Sequence, residues 1–227
     1  MSGQMVTFAS NGGTASGYLA TPASGSGPGV IVLQEYWGLV PHIKDVADRF
    51  ATAGFTSLAP DLYRGASTTE PDEAGKEMMA LDLARAGRDL SGAIGELQRR
   101  TGRDKVGVTG FCMGGGLALV VACQRPDAVA ACVPFYGAIP WAEAQPDYSK
   151  MQAAVQGHYA ENDGWASPVA AEQLRETLAD NGVSVEMFIY PGVDHAFFND
   201  TRPEVYDAGA SGLAWDRTLA FLKQHLG

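Results

Sequence analysis

Six short apolar runs, GVIVLQ, FTSLAPDLY, KVGVTGF, VAACVPFYG, AAVQGHYA and VSVEMFIYP, are separated by longer stretches with helical spacing. No other feature restricts the fold as much. Runs that are β-branched and apolar at successive positions suit strands buried on both faces. Between them, VPHIKDVADRFATAG, the region from Pro71 to about Arg100, GGGLALVVACQ, SPVAAEQLRETLADNG and the stretch from Ala208 to about His225 read as helices. Gly54 is placed to cap the first of these. Strands alternating with helices need right-handed crossovers, so an α/β fold is expected: a mostly parallel central sheet with helices on both faces. MVTFAS and GYLATP, flanking the polar NGGTAS, read as an N-terminal hairpin. In the last helix Leu213, Leu219, Phe221 and Leu222 are expected to dock on the sheet. No repeat or long linker divides the chain, so residues 1–227 read as a single domain.

The formal charge is 16 − 26 = −10, which argues against nucleic acid or an anionic membrane as partner. No apolar run is long enough to span a bilayer. MSGQMVTFAS lacks a basic segment followed by an apolar one, so no secretory leader is expected. Three cysteines, Cys112, Cys123 and Cys132, form no regular framework and no C-x-x-C pair. Free thiols in a reducing cytoplasm follow from that pattern.

One of the three stands apart. GFCMGGG puts Cys112 where KVGVTGF gives way to GGGLALVV, a strand-to-helix corner of the form G-x-nucleophile-x-G. Such a corner strains the nucleophile's backbone, while Gly110 and Gly114 let strand and helix approach closely. The N–H of Met113 then points at a developing oxyanion, and the helix faces the sulfur with its positive end. Cys123, inside a helix, and Cys132, inside an apolar strand, read as buried structural thiols.

A nucleophile of this kind needs a base, and the base needs an acid to orient it. His195, in PGVDHAFFND after the strand EMFIY, follows the cysteine at the carboxyl end of a strand. His42, His158 and His225 are expected to be solvated or packed. For the acid, YAENDGW offers Asp163 first and Glu161 second, while Asp194 adjoins the histidine and reaches back poorly. Glu35, in QEYWG at the end of the first long buried strand, is a carboxylate facing the same edge. The N–H of Tyr36 is positioned to be a second oxyanion donor. Phe111, Tyr36, Trp37, Phe197 and Phe198 are candidates to line an apolar pocket. No pair of histidines has ligand spacing, so no metal and no cofactor are expected.

The segments QEYWGL, the following P-H-I helix start, APDLY, GFCMGGG, ENDGW and DHAFF occur in order over nearly the whole chain. Together they resemble the dienelactone hydrolase family of the α/β-hydrolases. The resemblance implies an α/β-hydrolase fold and a Cys112–His195–Asp163 triad, with oxyanion donors at Met113 and Tyr36. It also implies that Glu35 pairs with the cysteine at rest and is redirected when substrate binds. The implied activity is hydrolysis of a small ester or lactone through a thioester acyl-enzyme, and the chain is expected to be a monomer or weak homodimer. The chain departs from that pattern in substrate recognition. Two family arginines hold a carboxylate, yet TTEPDEAGKEMM contains none, and Asn199 stands four residues after His195. A serine after the histidine is replaced by Ala196. Arg64, Arg85 and Arg202 are the remaining cations that could take a carboxylate. The rival reading is a thiol-based redox or binding protein on a hydrolase scaffold, for which no neighbouring resolving cysteine is evident.

Overall fold

The computed structural model describes residues 3–227; Met1 and Ser2, part of the stretch read as lacking a leader, lie outside the described residues. Eight strands run in the order β1 (Gln4–Ser10), β2 (Gly13–Ala20), β3 (Gly29–Leu33), β4 (Thr56–Pro60), β5 (Val106–Phe111), β6 (Val129–Phe135), β7 (Ala154–Asn162) and β8 (Val185–Asp194). They form one sheet ordered β1-β2-β4-β3-β5-β6-β7-β8. From β4 to β8 every pairing is parallel, and only β1–β2 and β2–β4 are antiparallel. The fold is the expected α/β sheet.

Six helices join them: α1 (Pro41–Thr52), α2 (Pro71–Met79), α3 (Leu83–Thr101), α4 (Met113–Gln124), α5 (Pro168–Asp180) and α6 (Ala208–Leu226). Alternation along each strand divides the core. In β3, Val30 and Val32 face the layer holding Ile43, Val46 and Phe50 of α1 and Leu222 of α6. Ile31 and Leu33 face the opposite layer, with Leu90, Ile94 and Leu97 of α3 and Leu117 and Val121 of α4. Helix α4 is buried along almost its whole length, between the sheet and its neighbours. That explains why its sequence is apolar all round rather than striped.

Two sequence expectations are corrected and two are refined. The hairpin turn is only Asn11-Gly12, with Gly12 at φ 108°. Gly13–Ser16 belong to β2, because pairing Phe8 with Ala15 buries both side chains. The region from Pro71 to Arg100 is two helices, and Asp82 starts the second by accepting the Arg85 N–H at 2.9 Å. Helix α1 ends at Thr52, and Gly54, at φ 98°, closes it as expected by donating its N–H to the Ala51 carbonyl. Leu213 is 48% exposed, and the face of α6 that docks is made by Ser211, Ala214, Thr218, Phe221 and Leu222.

Candidate active site

Four strands end at one edge of the sheet: β3 leads into Gln34 and Glu35, β5 into Cys112, β7 into Asp163 and β8 into His195. Carboxyl ends of parallel strands are where such sheets build sites.

Cys112 sits at φ 54° and ψ −117°, a conformation non-glycine residues rarely adopt. The strain is held from three sides. The Cys112 N–H donates to the Phe135 carbonyl at 3.0 Å. The Cys112 carbonyl accepts from the N–H groups of Gly115 and Gly116, at 3.0 and 3.3 Å, closing the first turn of α4. The flanking glycines are steric necessities: a Cβ on Gly110 would lie 2.1 Å from the Gly114 carbonyl oxygen, and one on Gly114 2.5 Å from the Gln34 carbonyl oxygen. The N–H groups of Tyr36 and Met113 donate to no other group among the described residues. Both remain available to an external acceptor.

Asp163 is 4% exposed and fully engaged. One carboxylate oxygen accepts the N–H groups of Trp165 (2.8 Å) and Ala166 (2.9 Å), and the other lies 2.6 Å from His195 Nδ1. Burial alone would raise its carboxyl, but the His195 contact and the two amides outweigh it and hold the group below the usual aspartate range. Burial likewise pulls the His195 imidazole down. The hydrogen bond to Asp163 and the neighbouring Cys112 overcome this and push it up to about 10. Glu161 instead accepts the Gly192 N–H at 2.7 Å on the surface, so the structure resolves the choice of His195's partner in favour of Asp163.

Glu35 is buried, and burial raises its carboxyl above the usual glutamate range. One oxygen accepts from Asn199 Nδ2 at 2.8 Å, while the other has no partner among the described residues. Thr201 fixes the orientation of that amide: its N–H (3.1 Å) and hydroxyl (2.6 Å) both donate to Asn199 Oδ1. The resemblance implies a Glu35–Cys112 pair; in this structure the carboxylate is held by Asn199, and His195 shares a cavity with the thiol. Asn199, where the resemblance implied an arginine, donates to Glu35 instead. Sequence reasoning gave it no role, although its place four residues after His195 was visible. Tyr136 was missed as well. It follows β6 at φ 38°, its hydroxyl is buried, and its ring meets that of His195 edge-on at 4.9 Å. A tyrosine at a strand's carboxyl end was the available signal.

A cavity of about 190 Å³ opens over the thiol, lined by Tyr36, Met78, Cys112, Trp165, His195 and Arg202. Trp165, from the acid loop, and Met78, from α2, were not anticipated; nothing local to α2 marks the methionine. Of the expected apolar lining, only Tyr36 is here. Phe111, Phe197 and Phe198 are core residues at 1%, 0% and 2% exposure, and Trp37 lines a neighbouring cavity. Of the candidate cations only Arg202 reaches the chamber, while Arg64 contacts Asp89 at 3.2 Å.

The other histidines do structural work. His158 is fully buried between Tyr190 and Thr218, and burial brings its imidazole down to about 3. His42 is buried rather than solvated, 3.4 Å from Asp200, and His225 packs on Phe221. Cys123 and Cys132 are buried, and burial raises both thiols, that of Cys123 to about 11. Among the described residues no group of metal-ligating side chains is assembled, and no helix is long and apolar enough to cross a membrane.

Residues 15–226 match the dienelactone hydrolase family. Protein usf of Aquifex pyrophilus is 41% identical over 234 residues, 99% of each chain. A protein of Aquifex aeolicus, provisionally named carboxymethylenebutenolidase, is 37% identical over 232 residues, again 99% of each chain. A solved structure from Klebsiella pneumoniae, provisionally assigned as a dienelactone hydrolase, superposes with a TM-score of 0.85 at 28% identity. That alignment covers 97% of this chain and 99% of the other.

Proposed function

Since this chain belongs to the dienelactone hydrolase family and is a hydrolase of lactone or ester bonds, we propose that Cys112 is its nucleophile, His195 its acid–base group and Asp163 the orienting acid. The observation that carries the reading is the strained Cys112 sharing a cavity with His195, whose Nδ1 lies 2.6 Å from Asp163.

Asp163 at Nδ1 favours the imidazolium that forms when His195 takes the thiol proton, and the sulfur attacks as the anion so generated. The S–C bond forms at the substrate carbonyl, and the charge moves to the carbonyl oxygen. The N–H groups of Tyr36 and Met113 receive it. Collapse breaks the C–O bond, and His195 gives its proton to the leaving oxygen, which in a lactone stays tethered to the acyl chain. The sulfur is now an uncharged thioester, so one of the contributions raising His195 is gone. The neutral imidazole then takes a proton from water, hydroxide adds to the thioester carbonyl, and collapse returns the thiolate and a carboxylic acid.

The substrates are uncharged esters and lactones in preference to carboxylate-bearing ones. Asn199 in the arginine position is committed to Glu35, and Arg202 is paired with Glu204 at 2.8 Å. A single domain acting in the cytoplasm, as a monomer or weak homodimer, suits the acidic composition and free thiols.

Mass spectrometry after substrate trapping tests the mechanism. An acyl adduct on Cys112, absent in folded Cys112→Ala together with activity on p-nitrophenyl acetate, is the expected result. A sulfenate on Cys112 with no ester turnover would instead establish the redox reading.

A further inference from the structure

A second cavity lies beside the first and is larger, about 310 Å³ against about 190 Å³. Trp37, Val40, Pro41, Thr68, Thr69 and Arg202 line it. Arg202 borders both cavities, so they meet at its side chain. The ridge between them is Tyr36–Trp37, with ring centroids 4.3 Å apart. Tyr36 faces the thiol, and Trp37 faces the second cavity.

The chemistry of the reaction assigns a direction. A leaving group must reach His195, which lines the thiol chamber together with Trp165; neither residue lines the second cavity. That cavity lies along the loop of Tyr36, whose N–H the proposed mechanism assigns to the carbonyl oxygen. The part of a substrate pointing there is the acyl side. The walls also assign a polarity. Trp37, Val40 and Pro41 give an apolar surface, and the nearby threonine hydroxyls can both donate and accept. The cation at the junction is already used: Arg202 lies 5.7 Å from the Trp37 ring centroid and pairs with Glu204. Burial lowers the His42 imidazole in the wall, and Asp200 behind it is already paired with Arg49, so neither offers a free cation to an anionic arm.

We propose that this second cavity is an acyl-arm subsite, which selects esters and lactones carrying an uncharged apolar or aryl group on the acyl side. The assignment rests on Cys112 being the nucleophile. It extends that reading from bond type to substrate class.

The test uses p-nitrophenyl esters with acetyl, butanoyl, hexanoyl and phenylacetyl groups, the succinyl half-ester as charged probe, and acetate esters of increasingly large phenols. From acetyl to hexanoyl, kcat/KM rises about 10- to 100-fold, since each of the four added methylenes is worth up to about fourfold when fully buried. The succinyl ester gains none of this. Thr69→Trp, on the exposed rim, and Val40→Phe, deeper in, each lower the hexanoyl-to-acetyl ratio about tenfold or more. Because the ratio is read within each variant, the rim substitution suffices if the deeper one does not fold. A flat acyl series, an unchanged ratio in Thr69→Trp, a preference for the succinyl ester, or a rise that follows the phenol instead would overturn the assignment. Cys112→Ala separates the two readings. If it is inactive while the acyl series is flat, only the subsite is wrong; if it stays active, the nucleophile is wrong.

Discussion

Asp163→Asn isolates what one buried carboxylate does for its histidine. The wild-type side chain has two functions on two oxygens: one holds the loop amides of Trp165 and Ala166, the other faces His195 Nδ1. Asparagine keeps an oxygen for the loop and turns an NH₂ toward the imidazole. Two donors then face each other unless the ring changes tautomer, which takes the proton away from Nδ1 and the lone pair away from the sulfur. The expected loss is about 10³- to 10⁴-fold in kcat, equivalent to about 4–5.5 kcal/mol. Asp163→Ala also strands two buried amides at about 1–3 kcal/mol each, so it loses stability where asparagine largely keeps it. The dependence on pH follows from both shifts. The contribution of Asp163, whose carboxyl is depressed, is present above the ordinary aspartate range and fades as pH falls through its folded value. That of His195 is complete below the ordinary histidine value and fades as pH rises through about 10. The stability gap between wild type and Asp163→Asn is therefore widest between about pH 4 and 6.5 and closes at both ends. Stopped-flow hydrolysis of p-nitrophenyl acetate and thermal melts at pH 3, 5.5 and 10 read the two effects. Activity within tenfold of wild type in Asp163→Asn, or a larger loss in Glu161→Gln, would refute the assignment of the acid.

Gly114→Ala puts a methyl 2.5 Å from the Gln34 carbonyl oxygen, with backbone on both sides. A cost of about 3 kcal/mol, or a Tm lower by about 6–12 °C, is expected by calorimetry; an unchanged Tm would contradict the steric account of the elbow. Asn199→Asp sets a second carboxylate against Glu35, so its Tm deficit grows from pH 5 to pH 8. A deficit equal at both values would mean that the Asn199–Glu35 contact does not matter electrostatically. His158, neutral in the fold with its imidazole down at about 3, binds a proton more readily when unfolded. Its site therefore removes about 1.4 kcal/mol per pH unit as pH falls from 6.5 toward 3. Denaturation titrations of His158→Phe should show a shallower acid limb than wild type, and an identical limb would sink the idea.

The sequence determined whatever is local. A strand shows itself as a short apolar run, and a helix as a spacing of three to four. The elbow shows itself because Gly110, Cys112 and Gly114 must meet within a single turn, where steric limits act on neighbours. That Cys112 and His195 stand at the same end of the sheet was legible for that reason, and because the alternation had already located the carboxyl ends of the strands. Three things were decided only in the folded molecule. The loop offered Asp163 first and Glu161 second; what separates their contacts is the pairing of β7 with β8, which sets Asp163 against His195 and leaves Glu161 on Gly192. Glu35 was visible as an unusual carboxylate, but its partner Asn199 is 164 residues away, beyond the reach of any periodicity. The exposure of Leu213 and the burial of Thr218 depend on which side of α6 meets the sheet, and its apolar residues alone do not fix that. Contacts of this kind arise where the ends of β3, β5, β7 and β8 converge, and that convergence follows from the order of strands across the sheet.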